Sequence, residues 1–510
     1  MAQERLAPED LSRRAQEVAD RIAAGRGLRP LAPIRTVVLD REKLVEHVRR
    51  RLREESPPEE IRAEGTLLER LGLIASADDY EEALYDLYEQ QIAGLYDPDD
   101  RTTYVLDDLV PAETDLTLWH EIVHALQDQH FAIGERQDAL EDDGDRSLAF
   151  SAVCEGDATL TSTALQYDSG WPALEWLVPR DLESLRAMVM PIQFAGLGGP
   201  SALQEFLSFP YVEGVAFVRG HLDRGGTAAV DALFRRPPES TEQVIHPEKY
   251  GGPDAPVRVR FRPGAFAGWH TAYEDTGGEF VIRLWLGSRL SRSAAAVAAA
   301  GWGGDRVLLL VPENASPSSC PSGAVPLDDR LWACGAAPDC GGTAGPPISR
   351  ATSWVVWATV WDPAPEEHPQ GAAGEAAEFR DAAVRTLREL LGEPPPSAGE
   401  PSPGAEAGVG AAVGPDTPPP SAPPAATDAG PGAGENDLLV DGPAGVAGVR
   451  WDGRWVWLVV GPPGETERAA RLLREAAAAT GPATEAEPGD VPAPAVAPSR
   501  SEAGSADAHD

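Results

Sequence analysis

The segment that decides the fold of this chain reads Trp119-His120-Glu121-Ile122-Val123-His124-Ala125-Leu126-Gln127-Asp128. Its apolar side chains recur at i, i+3, i+4 and i+7, which is the spacing of a buried helical stripe. On such a helix His120 and His124 lie one turn apart on the same face. The sequence therefore predicts a buried helix that presents two imidazoles side by side.

The pattern H-E-x-x-H within this helix is typical of a zinc site. Two imidazoles at i and i+4 can bind one ion, and Glu121 beside them can act as the general base for a water molecule on that ion. The alternative is a buried amphipathic helix that carries two of the chain's nine histidines by chance.

A catalytic zinc site needs a third protein ligand, and the sequence offers a glutamate for it. His130 follows His124 at the spacing of H-E-x-x-H-x-x-G-x-x-H, but the glycine is missing, which argues against the metzincin arrangement. Glu155 lies in the apolar segment Phe150 to Leu160, where an unpaired acid would be costly to bury. We therefore predict that Glu155 completes the metal site with His120 and His124. The alternative is that Glu155 is a capping or surface acid.

Four segments of the chain share motifs with a known group of proteins. They are H-E-I-V-H-A-L-Q-D-Q-H-F (His120 to Phe131), E-G-D-A-T (Glu155 to Thr159), Gly94 to Leu106 and Pro238 to Tyr250. In these segments the chain resembles largely uncharacterised bacterial and archaeal zinc-metallopeptidase-like proteins, on the gluzincin side of the zincins that includes thermolysin. The resemblance spans residues 30 to 310. It implies a zincin-like fold, one Zn²⁺ per chain and a polypeptide substrate.

The chain departs from the thermolysin pattern at one position. Thermolysin-like enzymes place a carboxylate four residues after the glutamate ligand, where this chain has Thr159. The residues that orient the metal-binding histidines must then lie elsewhere, and Asp128 and Asp157 are the candidates.

The segment before the metal helix reads as a β-hairpin. Leu95-Tyr96 and Thr103 to Leu106 flank the turn-forming cluster Asp97 to Asp100. The resemblance implies that this sheet edge binds an extended peptide by strand addition. The alternative is an ordinary hairpin without a binding role.

Peptide hydrolysis also needs a group that stabilises the developing oxyanion. His246 is the first candidate, since it follows a polar run and precedes a proline that fixes the loop. Tyr211 and Tyr250 are the second candidates for transition-state contacts. For all three the alternative is packing in the core or in a loop.

The order of predicted elements indicates an α+β chain in three parts. Residues 1–270 read as a zincin-like metallopeptidase domain with a small sheet, the metal-binding helix and a helical subdomain. Residues 271–480 read as a small tryptophan-rich α+β domain whose aromatic side chains form its core, with recognition of a partner as the alternative. It is interrupted by a long loop at 314–347 and by a disordered insertion at 393–435. Residues 481–510 read as a disordered acidic tail.

Charge and composition narrow the function further. Acidic residues outnumber basic ones by 82 to 43, so a nucleic-acid partner is excluded, because phosphates require a basic face. Met1 to Asp40 contains no apolar run of signal-peptide length, and no stretch is long enough to cross a membrane. The sequence thus reads as cytoplasmic, whereas proteins of the resembling group are often exported or lipid-anchored.

Cysteine usage leaves the compartment open. Cys154 is predicted to be a small packing residue, whereas Cys320, Cys334 and Cys340 cluster in a Gly/Pro-rich segment that allows one disulfide bond.

Three functions remain open from the sequence. The first is a zinc-dependent peptide-bond hydrolase. The second is a catalytically silent zincin-fold protein that binds a partner through its tryptophan-rich domain, and the third is a zinc hydrolase of non-peptide substrates. The intact Glu121 favours an enzyme, since a scaffold has no use for the base.

Overall fold

A computed structural model of the chain describes residues 8–91, 93–107, 111–167, 170–193, 201–253, 255–313, 348–363, 373–392 and 436–482. Its helices are α1 (Pro8–Arg26), α2 (Arg41–Glu55), α3 (Pro58–Arg70), α4 (Tyr80–Gln91), α5 (Pro111–Phe131), α6 (Ile133–Asp138), α7 (Gly144–Leu165), α8 (Leu174–Leu177), α9 (Leu182–Gln193), α10 (Ser201–Arg235), α11 (Thr241–Ile245), α12 (Gly278–Gly287), α13 (Arg292–Ala299), α14 (Gly374–Leu391) and α15 (Thr466–Ala479). Its strands are β1 (Arg35–Leu39), β2 (Gly94–Asp97), β3 (Thr102–Leu106), β4 (Val259–Phe261), β5 (Trp269–Asp275), β6 (Trp302–Pro312), β7 (Trp354–Trp361), β8 (Asp437–Gly442), β9 (Gly445–Asp452), β10 (Trp455–Gly461) and β11 (Thr480–Pro482). The chain is therefore a mixed α+β fold.

The first sheet has three strands in the order β1-β3-β2. Strand β1 runs parallel to β3, and β2 pairs with β3 as the predicted antiparallel hairpin, with Tyr96 opposite Thr103. Strand β2 is therefore an edge of this sheet.

Helix α5 lies against this sheet and carries the predicted apolar stripe. Trp119, Ile122, Val123 and Leu126 are all buried, and each contributes about 1.5–3 kcal/mol relative to an exposed position. The helix ends where Ala132 adopts a left-handed conformation (φ 53°) and donates its backbone N–H to the carbonyl of Asp128 at 2.8 Å.

Helix α7 lies at the centre of the helical layer, where it contacts α1, α5 and α10. It begins at the N-cap Asp143, whose side chain accepts the backbone N–H of Arg146 at 3.3 Å. The buried residues of α7 are mostly apolar or small and are distributed over all of its faces, as expected of a helix inside a core. At Gly156 it meets Gly214 of α10, and this close approach leaves no room for a side chain.

The second sheet has six antiparallel strands in the order β5-β6-β7-β10-β9-β8. Every residue of β7 is buried. Asp305 on β6 accepts the indole N–H groups of Trp302 and Trp357 at 2.9 and 2.7 Å. Five tryptophans are fully buried around this sheet, which shows that they pack a core as predicted: Trp285, Trp302, Trp354, Trp357 and Trp361.

The predicted domain boundary at residue 270 stays a prediction. Ala63 and Leu67 of α3 share a hydrophobic core with Trp285 and Phe379, so residues from both sides of that boundary pack together. The predicted loop 314–347, the predicted insertion 393–435 and the three clustered cysteines lie outside the described residues. Of the predicted tail, Gly481 and Pro482 belong to β11, which pairs with β4, and the remainder also lies outside the described residues.

Among the helices in the described parts of the chain, none is long and apolar enough to cross a membrane.

Candidate metal centre

Two helices bring together the three predicted metal ligands. Helix α5 presents His120 and His124 from successive turns, and α7 presents Glu155 opposite them. These are the residues of the described chain that form a cluster suited to a metal ion. Cys154, the neighbour of Glu155 in sequence, is a buried free thiol, in agreement with its predicted packing role.

The ligand atoms are spaced as a small tetrahedral ion requires. Oε2 of Glu155 lies 3.0 Å from Nε2 of His120 and 3.4 Å from Nε2 of His124, and the two Nε2 atoms are 3.1 Å apart. A tetrahedral zinc ion with ligand bonds of about 2.0–2.1 Å separates its ligand atoms by about 3.3 Å. Two imidazoles and one carboxylate are also a donor set found in catalytic zinc sites. The residues therefore fit zinc in both spacing and chemistry.

The electrostatics of the cluster follow from the burial of opposite charges together. Burial lowers the pKa of His124, but the Glu155 carboxylate outweighs this effect and raises it to about 9. Burial likewise opposes ionisation of Glu155, but His124 and His120 hold its pKa well below the usual value. Glu155, the predicted third ligand, is thus anionic throughout the physiological pH range.

Glu121 is fixed by the edge strand. The backbone N–H of Tyr96 in β2 donates to its Oε2 at 2.8 Å. Burial raises the pKa of Glu121, while the neighbouring histidines act in the opposite direction. A carboxylate with a raised pKa, one residue from a predicted metal ligand, is suited to accept and return a proton.

The outer nitrogen of His124 contacts a residue that was not predicted. Nδ1 of His124 lies 2.9 Å from Oε1 of Gln127, and Nε2 of Gln127 donates to Asp157 Oδ2 at 3.0 Å. Asp157 is in turn paired with the buried Arg26 of α1 at 2.8 Å. Asp157 therefore reaches His124 through Gln127 and has no direct contact with the imidazole among these bonds.

Asp128 lies one turn after His124 on α5 and bonds to the edge strand and to the next helix. Its carboxylate accepts the hydroxyl of Tyr96 at 2.9 Å and the backbone N–H of Gly134 at 3.1 Å. These bonds join the helix end to the edge strand.

The three candidates for transition-state contacts have different surroundings. The Tyr211 ring stacks beside His120 with 6.3 Å between ring centroids, so α10 brings this ring next to one of the three predicted metal ligands. Nε2 of His246 lies 3.1 Å from Oε1 of the buried Glu279 and 3.2 Å from the Arg283 guanidinium. Tyr250 donates its hydroxyl to the carbonyl of Arg236 at 2.6 Å.

Sequence reasoning missed Gln127, Arg26 and the backbone N–H of Tyr96. The position of Gln127, one turn after His124, was a usable signal, because residues three apart on a helix are neighbours. Arg26 gave no local signal, since it meets Asp157 only through the packing of α1 on α7.

No protein-family profile matches the chain, and no curated protein does. Among solved structures it is similar to a putative hydrolase with a novel fold from Chloroflexus aurantiacus, at 20% identity over 48% of this chain and 88% of that chain. The TM-score of this match is 0.29.

Proposed function

We propose that this protein is a zinc-dependent peptide-bond hydrolase with a zincin-like arrangement of the gluzincin type. The observation that carries the proposal is the convergence of His120, His124 and Glu155 within 3.0–3.4 Å, with Glu121 beside them. A zinc ion bound there would supply Lewis acidity, which lowers the pKa of water and polarises a carbonyl group.

Glu121 is the proposed general base. Its carboxylate takes a proton from the attacking water and passes it to the departing amine. The hydrogen bond from the backbone N–H of Tyr96 fixes the position of this carboxylate, so the proton acceptor is held in place before substrate binds.

Tyr211 is the proposed oxyanion stabiliser. Its ring stacks beside His120, one of the predicted metal ligands, with 6.3 Å between the ring centroids. A phenolic O–H close to the metal ligands can donate to the developing negative charge.

The edge position of β2 supports a peptide substrate. Among the strands of the described residues, β2 pairs on one side only, and the backbone N–H of Tyr96 on this strand donates to the proposed base. An extended peptide that paired with this edge would bring its backbone next to Glu121.

Cleavage of casein by the zinc-loaded protein tests the proposal. We expect hydrolysis that a chelator abolishes and added zinc restores. Glu121→Gln should retain zinc but lose about 10²- to 10⁴-fold in rate, because a general base contributes about that much.

The matched control is Glu135→Gln, which makes the same change on the exposed face of α6 and should leave the rate unchanged. Full activity in Glu121→Gln, or hydrolysis that resists the chelator, would contradict the mechanism. Zinc binding without casein cleavage would favour a binding protein or a hydrolase of other substrates.

A further inference from the structure

A chain of buried hydrogen bonds connects the metal cluster to the first helix of the protein. It runs from His124 to Gln127, from Gln127 to Asp157, and from Asp157 to Arg26. Gln127, Asp157 and Arg26 are each 1% exposed or less, so water does not compete for these bonds.

The partners of Gln127 determine which way its amide points. Its Nε2 lies 3.1 Å from the carbonyl oxygen of Cys154 and 3.0 Å from Oδ2 of Asp157. A backbone carbonyl and a carboxylate only accept hydrogen bonds, so the amide nitrogen must face them. The amide oxygen of Gln127 is then left to face Nδ1 of His124.

The orientation of Gln127 determines the tautomer of His124. An amide oxygen only accepts, so Nδ1 of His124 must carry the hydrogen in this 2.9 Å bond. In the neutral imidazole Nε2 then keeps its lone pair. Nε2 is the atom that faces Glu155 and His120, which makes it the nitrogen a metal ion would use.

Three further donor groups, besides Gln127, bind the Asp157 carboxylate and fix its position. Arg26 donates to both of its oxygens, through Nε at 2.8 Å and Nη2 at 3.3 Å, and Thr161 donates its hydroxyl to Oδ1 at 3.2 Å. The guanidinium also donates to Asp231 at 2.6 Å, which anchors it to α10. The buried charge of Arg26 is thereby compensated and its orientation fixed.

We propose that Gln127 is a positioning residue that holds His124 as its Nδ1–H tautomer, and that Asp157 and Arg26 hold Gln127 in the required orientation. The inference rests on the proposed function, since it concerns the same metal site. Through Arg26, helix α1 would then contribute to metal binding, although it lies far in sequence from the H-E-x-x-H motif.

The first test is the tautomer itself. The protein is labelled with ¹⁵N-histidine, treated with a chelator and studied by nitrogen NMR at high pH, and the His124 signals are assigned as those lost in His124→Ala. We expect His124 to be in the Nδ1–H form. In Gln127→Met, which keeps the length of the side chain but not its polar atoms, the Nε2–H form should gain population. The Nε2–H form in the wild-type protein would overturn the inference, even if the variant failed to fold.

The second test is zinc affinity, measured by competition with a chromophoric chelator. Gln127→Met should bind zinc about 10- to 100-fold more weakly, as losses of outer-shell partners usually do. Gln129→Met is the matched control, because Gln129 lies on the same helix but bonds to the backbone of Leu31 and Ala32. It should bind zinc like the wild type.

A double variant separates positioning from general stability. Asp157→Asn should weaken zinc binding alone but add little in the Gln127→Met background, because both changes break the same chain of bonds. Additive losses, or wild-type affinity in Gln127→Met, would overturn the inference. A wild-type protein that binds one zinc without cleaving peptides would defeat the proposed function and leave this inference intact.

Discussion

The charges of Glu155 and His124 stabilise each other inside the helical layer. The ring nitrogen Nε2 of His124 and the carboxylate oxygen Oε2 of Glu155 are 3.4 Å apart, and the two side chains are 11% and 22% exposed. In protein of low zinc content this pair contributes to folding stability only while His124 is protonated. The protein should therefore respond to pH in a range where ordinary histidines are already neutral.

The first prediction concerns chelator-treated protein. Glu155 raises the pKa of His124 from 6.5 to about 9, so the pair's contribution is complete below pH 6.5 and is lost as pH rises through about 9. The free energy of unfolding, measured with urea, should fall over this interval. Glu155→Gln removes the carboxylate and should abolish that part of the pH dependence; equal slopes in the two proteins would contradict the prediction.

Local spacing explains why the residues of the metal cluster could be predicted. His120 and His124 are one helical turn apart, and Glu155 is an acid within an apolar helix, so sequence position alone carries the information. Gln127 lies within the same turn and could have been included. Arg26 could not, because its partner Asp157 is brought to it by tertiary packing.

The crossing of α7 and α10 sets the position of Glu155. A Cβ atom on Gly156 would lie 2.5 Å from the carbonyl oxygen of Gly214, and one on Gly214 would collide with the backbone of Ala152. The two glycines therefore allow the helix backbones to touch. Because Gly156 follows Glu155 directly, a shift at this crossing would move the proposed third metal ligand.

The second prediction is that Gly214→Ala destabilises the protein and weakens zinc binding. The added methyl group meets backbone atoms that cannot move aside, and overpacking of this kind costs about 1–3 kcal/mol. Thermal unfolding and zinc titration would measure the two effects.

Gly220→Ala is the control in the same helix. There the new Cβ would lie 3.5 Å from the flexible end of Arg224, so the change should be neutral or stabilise by about 0.5–1 kcal/mol. If both variants behaved alike, the crossing would not be the constraint described.

The molecule as a whole combines a helical layer around α7 with a six-stranded antiparallel sheet. Helix α1 belongs to the helical layer. Its residues Leu11, Val18 and Ile22 lie in the same hydrophobic core as Trp119 of α5 and Phe150 of α7. Helix α3 instead packs on the second sheet.

The elements that could be predicted are those with strong apolar patterns. In the β9–β10 hairpin, Asp452-Gly453 is a strong turn signal, and β7 is an unbroken run of buried, mostly apolar residues. Strands β5 and β8 lack such a pattern, because β5 is a half-exposed edge and β8 is the other edge and follows a long segment without apolar periodicity. Strand order and the contact of α3 with the second sheet depend on long-range packing, which local periodicity does not encode.

X-ray absorption at the zinc edge tests the central claim most directly. Protein loaded with one equivalent of zinc should show nitrogen and oxygen ligands at about 2.0–2.1 Å with the outer-shell scattering of two imidazoles. His124→Ala should lose this ion. Sulfur ligands at about 2.3 Å, or an unchanged spectrum in His124→Ala, would place zinc elsewhere and contradict the claim that His120, His124 and Glu155 bind it.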